Sequence, residues 1–222
     1  MAAPRNNGSV SAGEGVVGIA SGHLYIVSAP SGAGKTSLVA ALLRRDPQVV
    51  VSISHTTRPP RPAERNGYDY YFVTAEHFAE LAESGAFLEH AQVFDHHYAT
   101  SRAAVERELS AGRDVVLEID WQGAQQIRQV WPQAISVFIL PPSVSALRAR
   151  LASRGQDSPD VIERRMAAAR AEMAHWREYD YVLVNNEFDR TVAELQAIFL
   201  AGRLRLESQT VRLRALLHDL LS

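Results

Sequence analysis

The chain contains no cysteine, which removes disulfides and thiolate metal sites from consideration. No apolar run approaches the length of a membrane-spanning helix; ISVFIL and VVLEI have the length of strands. Positive charge is not in excess either. The 23 basic residues face 25 acidic ones, for a formal net charge of −2, the wrong balance for a general nucleic-acid binder. Residues 1–21 are rich in Gly, Ala and Ser without the apolar core of a signal peptide. They read as a flexible tail on a cytosolic protein that engages neither nucleic acid nor membrane. Lysine is nearly absent: 22 of the 23 basic residues are arginine, and the single lysine is Lys35.

That lysine stands in SAPSGAGKTS, positions 28–37. The stretch matches the phosphate-binding loop G-x-x-x-x-G-K-[ST] at all but its first position, where Ala29 replaces glycine. A chain that otherwise writes its cations as arginine uses lysine where a compact ammonium must fit among phosphate oxygens. The context is the one this motif requires. HLYIVS reads as a buried strand, and TSLVAALLRR has helical spacing and stops before Asp46-Pro47. Ala29, Pro30, Ser31, Gly32, Ala33, Gly34, Lys35, Thr36 and Ser37 form the loop frame. The backbone N–H groups of Ser31 to Thr36 are expected to cradle phosphate at the helix N-terminus. Lys35 is expected on the β- and γ-phosphates and the Thr36 hydroxyl on Mg²⁺. Gly32 and Gly34 hold the permissive backbone positions, leaving Ala29 a tolerated first residue.

With 222 residues, 46% of them hydrophobic, the chain can bury one substantial core with inserted lobes. Further strands are expected at VVVSIS, YDYYFV, DVVLEID, AISVFIL and YVLVN, with helices between them. The helices include AEHFAELAESG, SRAAVERELSAG, GAQQIRQV, SVSALRARLASRG and DSPDVIERRMAAARAEMAHW, the last capped at Ser158 or Asp160. Two more follow over 189–201 and about 204–220. The alternation predicts an α/β fold, a mostly parallel, doubly wound sheet with helices on both faces. Residues 54–101 break the rhythm and read as an inserted lobe between core segments 22–53 and 102–142.

The lobe contains SHTTRPPRPAERNGYDYYF, in which prolines hold Arg58 and Arg61 on an extended loop. Two guanidinium forks suit a phosphate, which each can grip bidentately. Glu89 sits between apolar neighbours in FLEHA; Glu118 ends the strand VVLEI, and Asp120 lies two residues on, expected on the same face. Asp120 is the candidate for the Mg²⁺ shell. Glu118 and Glu89 are candidates for reading guanine, whose N1–H and 2-amino group donate to a carboxylate, whereas adenine offers an unprotonated N1. The pair His96-His97 lacks helical ligand spacing and reads as a loop feature.

Together, SAPSGAGKTS, SHTTRPPRPAERNGYDYYF, FLEHA, YATSR, EIDWQGAQQIR, ILPPS, RGQDSPDVIERRM and YDYVLVNN resemble the guanylate kinases across almost all of 22–205. The resemblance implies a phosphate-loop nucleoside-monophosphate kinase fold, with ATP and GMP as substrates and Mg²⁺ as cofactor. It implies that 54–101 is the GMP lobe and 143–160 a helical lid, with 161–222 returning to core and C-terminal helices. Arg58, Arg61, Tyr70 and Tyr98 are implied for the GMP phosphate, and Ser54, Glu89, Thr100 and Glu118 for guanine. Glu64 is implied as the brace of the arginine loop. Arg150, Arg154 and Arg165 are implied for the ATP phosphates, and Asn185 near the adenine ring. Three residues depart from the usual family pattern: Glu118 replaces aspartate, Ala99 a glycine and His97 a tyrosine.

The implied acceptor is already an anion, so no histidine is required as a general base, and catalysis reduces to positioning and charge neutralisation. A kinase for another small phosphate and a plain NTPase are the enzymatic alternatives on this scaffold. A peptide-binding module is disfavoured by the complete lysine-bearing loop. The basic, amphipathic segment RLRLESQTVRLRALLHDLL is expected to pack on its own domain or form a homo-oligomer contact.

Overall fold

The computed structural model describes residues 21–93, 95–153 and 159–222. Positions 1–20 of the expected tail, Arg154 and Ser158 lie outside the described residues. In chain order, β1 (Leu24–Ser28) leads through the loop into α1 (Lys35–Arg45), which is followed by β2 (Val49–Val51). The insertion then supplies β3 (His55–Thr56), β4 (Tyr71–Phe72), α2 (Ala75–Glu83), β5 (Phe87–Val93) and β6 (His96–Ser101). The chain returns with α3 (Arg102–Ser110), β7 (Asp114–Glu118), α4 (Trp121–Val130), β8 (Ile135–Leu140), α5 (Val144–Ala152) and α6 (Pro159–Met173). A short 3-10 turn over Ala174–Glu178 precedes β9 (Tyr181–Val184), α7 (Phe188–Arg203), α8 (Leu206–Arg212) and α9 (Arg214–Leu221).

The core sheet runs β2-β7-β1-β8-β9 with every pairing parallel. Its central strand β1 is buried on both faces, and period-two alternation divides its side chains between two cores. Tyr25 and Val27 meet Leu38 and Leu42 of α1 and Leu195 and Phe199 of α7. Leu24 and Ile26 meet Val105 and Leu109 of α3 and Ile127 of α4 on the opposite face. Each such aliphatic side chain contributes about 1.5–3 kcal/mol on burial. Burial on both faces explains why these strands read as continuous apolar runs in the sequence.

The insertion forms a separate four-stranded sheet of order β4-β3-β6-β5. Here the structure departs from the sequence reading. His96 and His97 are not in a loop; they open β6, which pairs antiparallel with β5 through His90↔Ala99 and Gln92↔His97. The strand is legible only from its partner, because HHYATS carries no run of apolar residues. His97 turns its ring to Phe78, centroids 5.4 Å apart, and Ala99 is buried with Phe78 and Phe87 in the lobe's own small core. Two of the three family departures therefore belong to the packing of the lobe. YDYYFV contributes only Tyr71 and Phe72 to a strand, because a turn over Arg65–Tyr70 closes on Gly67 N–H to Tyr70 C=O (2.8 Å). The expected C-terminal helix is divided at Leu213 into α8 and α9, and Leu216, Leu217, Leu220 and Leu221 of α9 are exposed. No helix among the described residues is long and apolar enough to cross a membrane.

At the N-terminal edge of the sheet, Arg203 of α7 donates to Asp114 (2.6 Å) and Asp46 (2.7 Å), tying α7 to β7 and to the end of α1. Burial pushes the Asp114 carboxyl up, but hydrogen bonds from His23 and Arg203 overcome it and hold the group below its usual range. Arg203→Ala leaves both acids without that partner, at an expected cost of about 3–5 kcal/mol. Urea unfolding would measure it, and a variant within 1 kcal/mol of wild type, roughly the worth of a surface pair, would contradict the bracing role.

Candidate active site

The loop leaves the C-terminal end of β1, where ligands of open parallel sheets bind. Gly32 (φ 91°) and Gly34 (φ 98°) take the left-handed conformation. A Cβ on Gly34 would also lie 2.5 Å from the Asn185 amide nitrogen, so the position is closed to side chains twice over. That approach is needed because Asn185 Nδ2 donates to the Ala33 carbonyl at 2.7 Å. Arg150 donates to the same carbonyl (3.2 Å) and to the Asn185 carbonyl (3.0 Å). Arg150 and Asn185 thus stand behind the loop, along a pocket of about 300 Å³ shared with Ser37 and Phe188.

On the inner side of the loop, Lys35 Nζ reaches the Ile119 carbonyl at 3.5 Å. Burial pushes the ammonium below its usual range, against the opposing pull of Glu118, Glu172 and Asp120. The Thr36 hydroxyl donates to Glu118 at 3.0 Å. Ser31 is held at both of its polar groups by α6: Arg165 Nη2 donates to its hydroxyl (2.8 Å), and its backbone N–H donates to Glu172 (3.2 Å). Glu172 is the functional-site residue that the sequence reading missed. Its spacing of seven from Arg165, two helical turns, was the signal available.

Opposite the loop, the insertion presents its arginines. Arg58 Nη2 donates to both Glu64 oxygens (2.8 and 2.9 Å), and Glu64 also accepts the Arg61 backbone N–H (2.8 Å). The Arg58 guanidinium lies 5.4 Å from the Tyr70 ring centroid, and Tyr70 meets Tyr98 edge-on at 6.0 Å. Arg58 is largely enclosed, whereas 74% of the Arg61 side chain is exposed. Deeper in the lobe the buried Glu89 accepts from the Thr100 hydroxyl at 2.7 Å. Burial lifts its pKa to about 7, with the Thr100 hydrogen bond opposing and the Asp120 charge adding. A Cβ on Gly123 would meet the Glu89 carboxylate at 2.6 Å, so the absence of a side chain there lets the acid rest against α4.

Glu118 and Asp120 lie between these two walls. Glu118 is the last residue of β7, but the chain leaves the strand before Asp120, which becomes the N-cap of α4. Its oxygens accept from Gly123 N–H (2.9 Å) and Gln122 Nε2 (3.1 Å). Loop and lobe face a single cleft of about 360 Å³ in which Lys35 and Thr36 oppose Ser54, Tyr70, Glu89 and Tyr98, with Glu118 and Asp120 on its floor. Arg58, Arg61, Glu64 and Thr100 support the lobe wall without lining this cleft. No cluster of three or more His, Cys, Asp or Glu ligands for a metal occurs among the described residues. The hard oxygens of Thr36 and Glu118 do suit Mg²⁺, which commonly takes few protein ligands alongside substrate phosphates and water.

The model of the family described as guanylate kinase matches residues 21–201. The guanylate kinase of Alkalilimnicola ehrlichii is 62% identical over 200 residues, covering 90% of this chain and 98% of that protein. The guanylate kinase of Escherichia coli K12 is 55% identical over 206 residues, covering 92% of this chain and all of that protein. Among solved structures, the crystal structure of guanylate kinase from Anaplasma phagocytophilum superposes with a TM-score of 0.71 at 33% identity, covering 84% of this chain and 88% of that one.

Proposed function

The chain belongs to the guanylate kinase family and transfers the γ-phosphoryl group of ATP to GMP, and from that premise we propose which of its residues carry out each part of the reaction. The observation that supports the assignment is the single cleft with a phosphate loop on one wall and an arginine-and-acid lobe on the other. ATP lies on the loop, its phosphates on the amides of Ser31 to Thr36 and on Lys35. Arg150 and Asn185, which fasten the back of the loop, shape the side where the nucleoside continues. GMP sits in the lobe with its phosphate toward Arg58, Arg61, Tyr70 and Tyr98, and its base toward Ser54, Glu89 and Thr100.

The hydrogen bond from Thr36 to Glu118 supports placing Glu118 with Thr36 at the Mg²⁺ position. Asp120 lines the same cleft, and its charge also acts on Lys35, so it keeps its assignment to the Mg²⁺ shell. Thr36 and Glu118 would hold Mg²⁺, which would supply neutralisation of phosphate charge. Lys35 neutralises the β- and γ-phosphate oxygens from the protein side, and Arg165 approaches them from α6. In-line attack by the GMP phosphate oxygen on the γ-phosphorus breaks the bond to the β-phosphate oxygen and leaves ADP. No proton needs to be taken from the attacking oxygen, so positioning dominates. Movement of α5 and α6 toward the lobe would exclude water, which otherwise competes as acceptor.

Arg58 is the acceptor-side residue whose geometry is best defined. Arg58→Ala is expected to raise KM for GMP by about 10²-fold, the loss of a charge-assisted bidentate contact, with KM for ATP little changed. Steady-state kinetics with each substrate varied in turn would separate the two. An equal rise in both KM values would place Arg58 outside the acceptor site.

A further inference from the structure

Arg165 and Glu172 lie two turns apart on one side of α6, and both hold Ser31, one at its hydroxyl and the other at its backbone N–H. The two residues have opposite consequences for an incoming anion. Arg165 attracts phosphate. Glu172 offers a carboxylate oxygen to one of the amides that a phosphate-binding loop reserves for phosphate oxygens. It is also one of three acids acting on Lys35, with Glu118 and Asp120. Glu118 is bonded to Thr36, and Asp120 is occupied in capping α4. Glu172 comes from an element outside the loop and the β7–α4 connection, and it lines the cleft with Lys35 and Thr36.

We propose that Glu172 is a built-in phosphate surrogate: its carboxylate occupies the Ser31 amide in the nucleotide-free protein and must leave before the ATP triphosphate can seat. The inference rests on the phosphate-loop reading given above and adds a competitor for that loop. A carboxylate at the amide keeps that N–H paired, beside the Lys35 ammonium, while the site is empty. It also opposes the entering triphosphate through like charge. Glu172 and Arg165 hold the same residue from one helix, so withdrawal of the acid leaves Arg165 as the contact between α6 and Ser31. The affinity for ATP is then the intrinsic affinity of the loop reduced by the fraction of molecules in which the acid has left.

The test is equilibrium binding of ATP, ADP and adenosine, without GMP, to wild type, Glu172→Gln and Glu172→Ala, by calorimetry at fixed Mg²⁺ and ionic strength. Glutamine keeps the size and can still accept from Ser31 but lacks the charge. Thermal unfolding of each variant shows whether it is folded. Expected is a tightening of ATP binding by about 10-fold in Glu172→Gln, at least as much in Glu172→Ala, and no change for adenosine. Unchanged or weaker ATP binding in both folded variants would overturn the proposal and make Glu172 a support of the loop. Failure of wild-type protein to bind ATP at all would instead overturn the phosphate-loop reading itself. Tightening of adenosine binding to the same extent as ATP would also count against the proposal, since the competition is for a phosphate position.

Discussion

Lys35→Ala is expected to lower kcat by about 10³-fold or more, with the fold retained. The loop offers neutral amides, and the nearest strong cations, Arg150 and Arg165, reach it from behind and from α6. Lys35 is the cation placed on the inner side, facing Glu118 and Asp120 across the cleft floor. Removing it leaves the charge developing between the β- and γ-phosphates without its protein partner, while the loop keeps its glycine conformations and its ties to Asn185. Lys35→Arg is not expected to rescue activity, because a planar fork cannot replace a compact ammonium under the loop. Single-turnover rates at saturating ATP and GMP, with thermal unfolding alongside, would measure this. A variant retaining a tenth of wild-type turnover would remove Lys35 from the catalytic apparatus.

The second large effect concerns base recognition and its dependence on pH. Glu89 is expected to accept from N1–H and the 2-amino group of guanine, which requires the ionised carboxylate. In the empty site burial holds its pKa at about 7, so below that value the group carries a proton and faces donor with donor. KM for GMP is therefore expected to rise about tenfold per pH unit below 7, while kcat at saturating GMP stays nearly level. The linkage sign for folding is the opposite. The folded pKa lies above the unfolded value, so the empty protein gains stability from this group as pH falls from about 7 toward the ordinary carboxylate range. Glu89→Gln places an amide N–H₂ where an acceptor is needed. It is expected to lower kcat/KM for GMP by about 10²–10³-fold and to flatten the pH profile of KM. A KM for GMP that is independent of pH between 5.5 and 8, about one and a half units below and one above that pKa, would show that Glu89 does not meet the base as a carboxylate.

The parts of this site that were legible in the sequence are local. SAPSGAGKTS carries its whole function within ten residues, bounded by a strand and a helix that its own apolar pattern defines. Glu64, six residues from the arginine it grips, and Thr100, eleven from Glu89, were named through the family resemblance, as were the distant Arg165 and Asn185. Reading failed where partnership is distant. β6 is held by β5 and β3 and carries no apolar alternation of its own, so HHYATS resembled a loop. The strand gives way to a helix N-cap at Asp120, yet Glu118 and Asp120 line the same cleft as their spacing suggested. Glu172 meets Ser31 across 141 positions, a distance over which only the packing of α6 brings them together. Lys35 was conspicuous in the sequence by composition, and of the three acids around it Glu118 and Asp120 were already candidates, whereas Glu172 became visible only in the fold.

The strand order has a bearing on how the chain is made. Among the described strands β1 is synthesised first, yet it lies in the middle of the core sheet, flanked by β7 and β8. Its partner at Leu24 is Val115, so at about 5–20 residues per second its edges stay unpaired for several seconds of elongation. The lobe, whose strands are separated by short connections, can close during that interval. The lobe's sheet precedes the strand that gives the phosphate loop a sheet to stand on, whereas Glu118 and Asp120 join the cleft only with β7. Until β7 arrives, a strand that is buried at every residue in the finished fold has no partner on that edge.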